Sequence, residues 1–542
     1  MAKPIGQLLK EHGFITEEHI NYAIKVQQSL KKRLGDVLLD LGFVTDKEVA
    51  EVLAKQSGVE FIDIDNITPA VEALNAIPKA FAIQNNVLPI LKEDSKLIVA
   101  IADPYDERIK TMVQRFAKGG VEFKIAAASS LAKKVERAYY LAENPVEKAI
   151  NNAIENILKD REVSVENLIN MIIEDAIDKG ASDIHINPMK EVSLVSYRID
   201  GVLHIFYSFP ISAHSRLVST VKVKSSMDIA TTNIPQDGSM SYEFLHEKFD
   251  FRVSTVPTLY GENLVMRILG GAQRQISLTE IGFKKPQLEI IEKAINSPFG
   301  IILATGPTGA GKTTTLYALL RRVNTMEKNV LTIEDPVELK VPLVHQTSVN
   351  PRANLTFASA IRAFLRQDPD VILVGEIRDE ETATLAIRAA LTGHLVLSTL
   401  HTNDAIGAIS RLKDLGIGDF LLSSSLVCVV AQRLLRRLCS FCKQEYELSR
   451  EDKDYLGIDI DKAYKHKGCQ HCNFTGYLGR IAAGEVLFVD KTVQEMIVEQ
   501  APISKIREYL EQNGMISMKA SAALSVKDGI TDIDEIKRVF GI

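Results

Sequence analysis

The clearest chemistry in the chain lies in Gly306-Pro307-Thr308-Gly309-Ala310-Gly311-Lys312-Thr313, with Thr314 next. The segment fits G-x-x-x-x-G-K-[ST] in full. Such glycines let successive backbone N–H groups turn inward around phosphates, the lysine reaches the β- and γ-phosphates, and the hydroxyl of Thr313 is placed to bind Mg²⁺. The pattern needs a strand before it and a helix after it. Here the apolar run Ile301-Ala304 precedes it and the helical run Thr313 to Arg322 follows. A nucleoside triphosphate is expected on Gly306 through Thr314, and ATP hydrolysis with it.

Two acidic sites end later apolar runs: Glu334 and Asp335 after Val330-Ile333, and Glu376 after Val371-Gly375. In a parallel α/β sheet the ligand lies beyond the carboxyl ends of the strands, so both sites should face the crevice of the phosphate loop. Hydrolysis needs one group to orient the attacking water and others to hold Mg²⁺. Glu376 is read as the base and Glu334 as the Mg²⁺ or water-shell ligand, although the two roles could be exchanged. His394 and His401 flank Leu395-Leu400. A histidine at a strand end can sense the γ-phosphate or serve the structure, and spacing alone leaves both readings open.

Cys439-x-x-Cys442 and Cys469-x-x-Cys472 form two thiolate hooks separated by 26 residues. Four thiolates fill a tetrahedral Zn²⁺ and leave no open position, so the site is expected to be structural and to clamp an insertion, 439–472. Cys428, inside Leu426-Val427-Cys428-Val429-Val430, reads as a buried, inert thiol.

Positioning these groups requires a large α/β region. With 542 residues, 46% apolar and 25% charged, the chain should form several globular domains. Apolar runs at Ile301-Ala304, Val330-Ile333, Val371-Val374 and Leu395-Leu397 alternate with helical patterns, which predicts a mostly parallel sheet covered on both faces. We place this domain at 272–542. Before it, 164–271 carries short strand patterns such as Ser193 to Tyr197 and Phe249 to Val253, and a polar stretch, 143–163, reads as a linker. Residues 61–142 read as a small α/β part with a strand at Leu97-Ile101. Residues 1–60 hold a repeat: Pro4-Ile5-Gly6 through Gln27 aligns with Arg33-Leu34-Gly35 through Gln56, each copy helix, turn, helix, with Thr16 or Thr45 as N-cap. No run is long and apolar enough for a membrane span, and Met1 to Glu11 lacks a secretory pattern. A net charge of −6 argues against a dedicated nucleic-acid binder, despite Arg433-Leu434-Leu435-Arg436-Arg437, so no nucleic-acid partner is expected.

Together these motifs resemble the secretion ATPases that assemble type IV pili and drive type II secretion. Besides the phosphate loop, Thr332 to Glu338 resembles that family's Asp box. Leu365 to Asp370 with Gly375 to Asp379 resembles its Walker B element, and Thr392 to Thr402 its His box. Ala181 to Ile186, Tyr197 to Gly201 and Phe251 to Thr255 resemble its second N-terminal domain. The resemblance implies a RecA-like P-loop core, a PAS-like α+β domain before it, a zinc-clamped insertion and an α-rich N-terminal domain. It also implies a homohexameric ring in which Arg198, Arg252 and Arg267 reach a neighbouring subunit's nucleotide. Where the family often has arginine after Gln-Asp-Gly, this chain has Ser239.

The implied partners are an inner-membrane platform protein and a membrane-anchored cytoplasmic adaptor, with the chain cytoplasmic and docked peripherally at the inner membrane. Shorter retraction ATPases lack the long N-terminal domain and the four cysteines, so the resemblance favours an assembly motor, with a type II secretion motor as the alternative and a nucleic-acid-acting P-loop motor or a low-turnover cyclic di-GMP receptor further off. The N-terminal repeat is similar to a cyclic di-GMP-binding module at Arg33, Leu34 and Gly35. The first copy has Pro4-Ile5 where Arg-Leu is expected, and a helical docking module is the other reading.

Overall fold

The structure, a computed structural model, describes residues 4–65, 67–93, 96–270, 276–323 and 325–541. The domain change placed at 271/272 lies outside the described residues. The chain divides into two compact units. One holds 50–273 and 468–478; the other holds 1–49, 274–467 and 479–542.

In the first unit, β1 (Leu88–Glu93), β2 (Lys96–Ile101) and β3 (Gly120–Ile125) form a small sheet in that order. β2 and β3 are parallel, joined by helix Glu107–Ala117. The stretch 143–163 differs from its reading as a linker: Val146–Leu158 is a helix with Val146, Ile150, Ala153 and Ile157 buried. Those four apolar residues recur every three or four positions, so one stripe packs inward although the surface is polar. Helix Val165–Asp178 follows.

Then come β4 (Asp183–Pro188), β5 (Val192–Ile199), β6 (Val202–Pro210), β7 (Gln236–Phe244), β8 (Glu247–Thr258) and β9 (Gly261–Gly270), ordered β6-β5-β4-β9-β8-β7 with antiparallel pairings. In β8, Phe249, Phe251 and Val253 are buried while Arg252 is exposed. This alternation follows from side chains pointing to opposite faces along a strand.

The second unit contains the phosphate-loop sheet. Its strands are β10 (Gly300–Thr305), β11 (Val330–Glu334), β12 (His345–Ser348), β13 (Val371–Val374), β14 (Leu395–Leu400), β15 (Leu426–Leu438) and β18 (Tyr477–Phe488). The order is β12-β11-β13-β14-β10-β15-β18, and β10 runs parallel to both of its neighbours. Two short strands, β16 (Gln444–Glu447) and β17 (Lys462–Lys465), pair antiparallel apart from it.

Strands β10, β11, β13 and β14 are buried at every position, as parallel strands covered on both faces must be. Ile301 and Leu303 pack on one side with Ile361 and Ala386; Ile302 and Ala304 pack on the other with Ile291 and Leu316. The loop after β10 is thereby held between two rigid layers.

The helical repeat opens this unit with Ile5–Glu11 and Glu17–Leu30, then Leu34–Asp40 and the start of Asp46–Ser57. The Thr16 side chain accepts from the His19 N–H, and Thr45 forms a reciprocal cap with Glu48. The repeat is docked on the half that carries the phosphate-loop sheet. Arg321 pairs with Glu48 at 3.0 Å, both side chains nearly buried, and Arg322 Nη1 donates to the Gly13 carbonyl at 3.3 Å. Lys47 pairs with Glu280 at 2.5 Å.

Candidate active site

The loop leaves β10 at Thr305 and turns through Gly306 (φ +146°), Gly309 (+77°) and Gly311 (+86°) before helix Lys312–Arg322 begins. A Cβ on Gly306 would lie 2.5 Å from the Gln432 carbonyl oxygen, and one on Gly311 3.1 Å from Gln432 Nε2. Each position combines a positive φ with a packed neighbour, which only glycine accommodates. Thr313 and Thr314 occupy the first helical turn, where backbone N–H groups lack intrahelical partners. Lys312 Nζ donates to the carbonyls of Gly306 and Pro307 at 2.8 and 3.2 Å and stands 3.4 Å from His401 Nδ1. Burial lowers the lysine's pKa, and the charge of Glu376 acts against that.

Glu376 follows β13 directly. Its carboxylate pairs with Arg378 at 2.5 Å and lies 3.6 Å from His401 Nε2. Glu376 raises the pKa of Arg378, first through their hydrogen bond and then through charge. A bond from the Thr402 N–H to Thr305 Oγ1, 2.9 Å, ties the end of β14 to the end of β10 and keeps His401 beside the loop. Lys312, Glu376 and His401 therefore converge from three strand ends.

His394 is not brought there. It precedes β14, and its carbonyl accepts from the Gly300 N–H, 3.1 Å, at the opposite end of β10. Six strand residues separate the two histidines, roughly 23 Å over seven steps of ~3.3 Å. Glu334 ends β11 but is buried. Its carboxylate accepts from Tyr317 Oη, from Thr332 Oγ1 at 2.6 Å and from Gln346 Nε2 at 3.2 Å. Asp335 beside it is exposed.

The three arginines lie in the other unit, in one row across four strands. Register pairs Arg198 with Asp183, Asp183 with Arg267, and Arg267 with Arg252. Arg267 Nε donates to Asp183 at 2.8 Å, and Arg198 Nε lies 3.7 Å from the same carboxylate. Burial pushes the Asp183 carboxyl up, but the bonds from Arg267 and Ser182 and the arginine charge outweigh it and hold it below its ordinary value. Arg252 is exposed, with no side-chain partner among the described residues. Ser239 pairs with Arg252 in register, so an arginine at position 239 would have extended this row.

The ligand sulfurs of Cys439, Cys442, Cys469 and Cys472 lie within 4.8 Å of one another. Cys469 Sγ and Cys472 Sγ are 3.8 Å apart. Tetrahedral Zn–S bonds of ~2.3 Å require S···S of about 3.8 Å, so the donor set fits zinc. The N–H groups of Cys469 and Gly476 donate to Cys472 Sγ at 3.2 Å each, as a thiolate ligand demands. Cys428 is fully buried, and burial pushes its thiol up to about 12. Arg33, just before helix Leu34–Asp40, is exposed, and Gly35 has open space where a Cβ would stand. Gly6, its counterpart, is packed against Leu34.

Two contacts at the loop escaped motif reading. Tyr317, on the phosphate helix, holds Glu334, and Gln432 on β15 bonds to both Ala310 and Thr315. Helical spacing from Thr313, four residues earlier, could have flagged Tyr317. For Gln432 the only signal was a polar residue closing an apolar run.

The family described as Type II/IV secretion system protein matches residues 158–538, and the MshEN domain matches 57–145, a span that excludes Arg33. The type IV pilus assembly ATPase PilB of Myxococcus xanthus is 36% identical over 99% of this chain and 98% of its own length. PilB of Pseudomonas aeruginosa is 36% identical over 99% and 98%. The type II secretion system ATPase E of Vibrio cholerae is 44% identical, over 69% of this chain and 74% of its own. The X-ray structure of the Legionella pneumophila ATPase DotB shares the fold, with a TM-score of 0.53 and 20% identity, covering 69% of this chain and 95% of that one. The chain therefore belongs to the Type II/IV secretion system protein family, among relatives that are pilus-assembly and secretion ATPases.

Proposed function

We propose that this chain is a cytoplasmic ATPase that hydrolyses Mg·ATP to power extension of type IV pili. The observation that carries the reading is the convergence of Lys312, Glu376 and His401 on a complete phosphate loop. Gly306 through Thr314 hold the triphosphate, and the Thr313 hydroxyl takes Mg²⁺. Glu376 orients the attacking water, and His401 answers to the γ-phosphate. Glu334, fixed by three hydrogen bonds, serves the metal's water shell; His394 supports the start of β14.

In a homohexamer, Arg198, Arg252 and Arg267 stabilise charge on a neighbour's nucleotide, which couples hydrolysis to subunit motion. Zn²⁺ on the four cysteines clamps 439–472. The motor acts on an inner-membrane platform protein beside a membrane-anchored adaptor; among the described residues no helix is long and apolar enough to cross the membrane itself. Exposed Arg33 and open Gly35 leave a half-site suited to cyclic di-GMP in the second repeat. Pilus assembly is favoured because the pilus ATPases align along the whole chain. The type II secretion reading rests on the higher identity of its ATPase, 44%, over only 69% of the chain.

The test is steady-state ATPase activity of the wild type beside Glu376→Gln, across protein concentrations that span assembly. A rate per subunit that rises with assembly and vanishes in Glu376→Gln supports the reading. Activity that survives the substitution sinks it.

A further inference from the structure

We propose that Gln432 is a positioning residue for the phosphate loop, acting through the peptide plane between Ala310 and Gly311. The inference rests on the nucleotide-binding reading of that loop. Gln432 stands on β15, the strand beside β10, and is 1% exposed. A buried amide is costly unless its polar atoms are paired, and here both ends are used. Nε2 donates to the Ala310 carbonyl at 2.7 Å, and Oε1 accepts from Thr315 Oγ1 at 2.6 Å. The orientation of the amide follows from its partners: a carbonyl oxygen can only accept, so the nitrogen must face Ala310.

A trans peptide sets its C=O and N–H antiparallel in one plane. With the Ala310 oxygen held toward β15, the Gly311 N–H points away from β15, toward the concave side of the loop. Gly306 and Gly311 pack against the same glutamine, so the loop is seated on it at both ends. The bond from Thr315, a residue of the first turns of helix Lys312–Arg322, locks this peptide to the helix whose N-terminus faces the anion. Gln432 touches no substrate. It sets the direction of an N–H that does.

Glutamine is required because one side-chain end must both donate and accept. Leucine offers neither. An ionised carboxyl accepts from Thr315 but repels the Ala310 carbonyl; a protonated one carries an O–H that can donate to it. Burial raises the pKa of a carboxyl, which brings this switch into an accessible pH range.

The experiment measures binding of a fluorescent ADP with Mg²⁺ to the full-length chain, for wild type, Gln432→Leu, Gln432→Glu and Thr315→Val. Apo thermal melts and kcat and KM for ATP are measured alongside. Gln432→Leu should weaken binding roughly 10- to 100-fold and raise KM by more than it lowers kcat. Thr315→Val keeps the Ala310 bond and should lose less than roughly 5-fold. Gln432→Glu should bind poorly near pH ~8.5 and recover toward wild type as the pH falls to ~6. Folded Gln432→Leu that binds within about twofold of wild type would overturn the proposal. So would a Gln432→Glu to wild-type affinity ratio that stays flat with pH, and that arm decides if the leucine variant does not fold. A wild type that binds no nucleotide would overturn the nucleotide reading itself, and this proposal with it.

Discussion

Tyr317→Phe isolates the contact between the phosphate helix and the end of β11. The ring of Tyr317 is 7% exposed and stays in place in the variant. The lost hydroxyl donates to Glu334 and accepts from the N–H groups of Glu338 and Leu339, at 3.2 Å each. A hydrogen bond to a charged group contributes about 1.5–3 kcal/mol and a neutral one about 1 kcal/mol. Glu338 is exposed and Leu339 half-buried, so water can replace the hydroxyl there, and the Glu334 bond dominates the loss. The expected cost is about 2–3 kcal/mol, a fall of about 4–12 °C in the melting temperature of a domain this size.

Burial, aided by Glu334, drives the Tyr317 hydroxyl above its ordinary pKa. A raised folded pKa means the contribution is complete below the ordinary value of about 10 and is lost only as pH rises through the folded one. The stability difference between wild type and variant must therefore be constant from about pH 6 to pH 8. Thermal melts at three pH values in that window check both statements. A difference under about 1 °C, or one that changes across the window, would refute the assignment of this bond.

Three further outcomes follow. Elemental analysis should find one zinc per chain, and a strong chelator should free four thiols that react rapidly with a disulfide reagent near neutral pH; fewer than four would break the ligand assignment. Cys428, its thiol pushed up to about 12 by burial, should stay unreactive in the same experiment until denaturant is added, and prompt labelling of a fifth thiol in the native protein contradicts that burial. Glu48→Ala leaves Arg321 charged and nearly buried without its partner, which costs about 3–5 kcal/mol, whereas Glu48→Ala with Arg321→Met should recover part of the loss; equal urea midpoints for Glu48→Ala and wild type would show that the repeat is not held by this pair.

What could be read along the chain was whatever is contiguous. The phosphate loop is eight adjacent residues with obligatory glycines, and the strands β10, β11, β13 and β14 announce themselves because burial on both faces demands unbroken apolar runs. Direction within an element was harder. Residue order places Glu334 and Glu376 alike at strand ends, but the partners that each carboxylate finds, Tyr317 for one and His401 for the other, come from segments distant in sequence. His394 and His401 look equivalent beside Leu395-Leu400 until the parallel register of β14 with β10 puts them at opposite ends.

Register also hid the arginine row. Arg198, Arg252 and Arg267 are scattered over seventy positions, and only the pairing of β5, β4, β9 and β8 lines them up around Asp183. Gln432 is the limiting case. Its local pattern is a polar residue ending the apolar run Leu426 to Ala431, which ordinarily marks emergence into solvent, although β15 continues past it to Leu438. It is buried because β10 lies beside β15 and the loop folds back over it. A polar residue that closes an apolar run next to a phosphate-loop strand therefore merits a partner search before it is counted as surface, since a buried amide persists only where both of its ends are bonded.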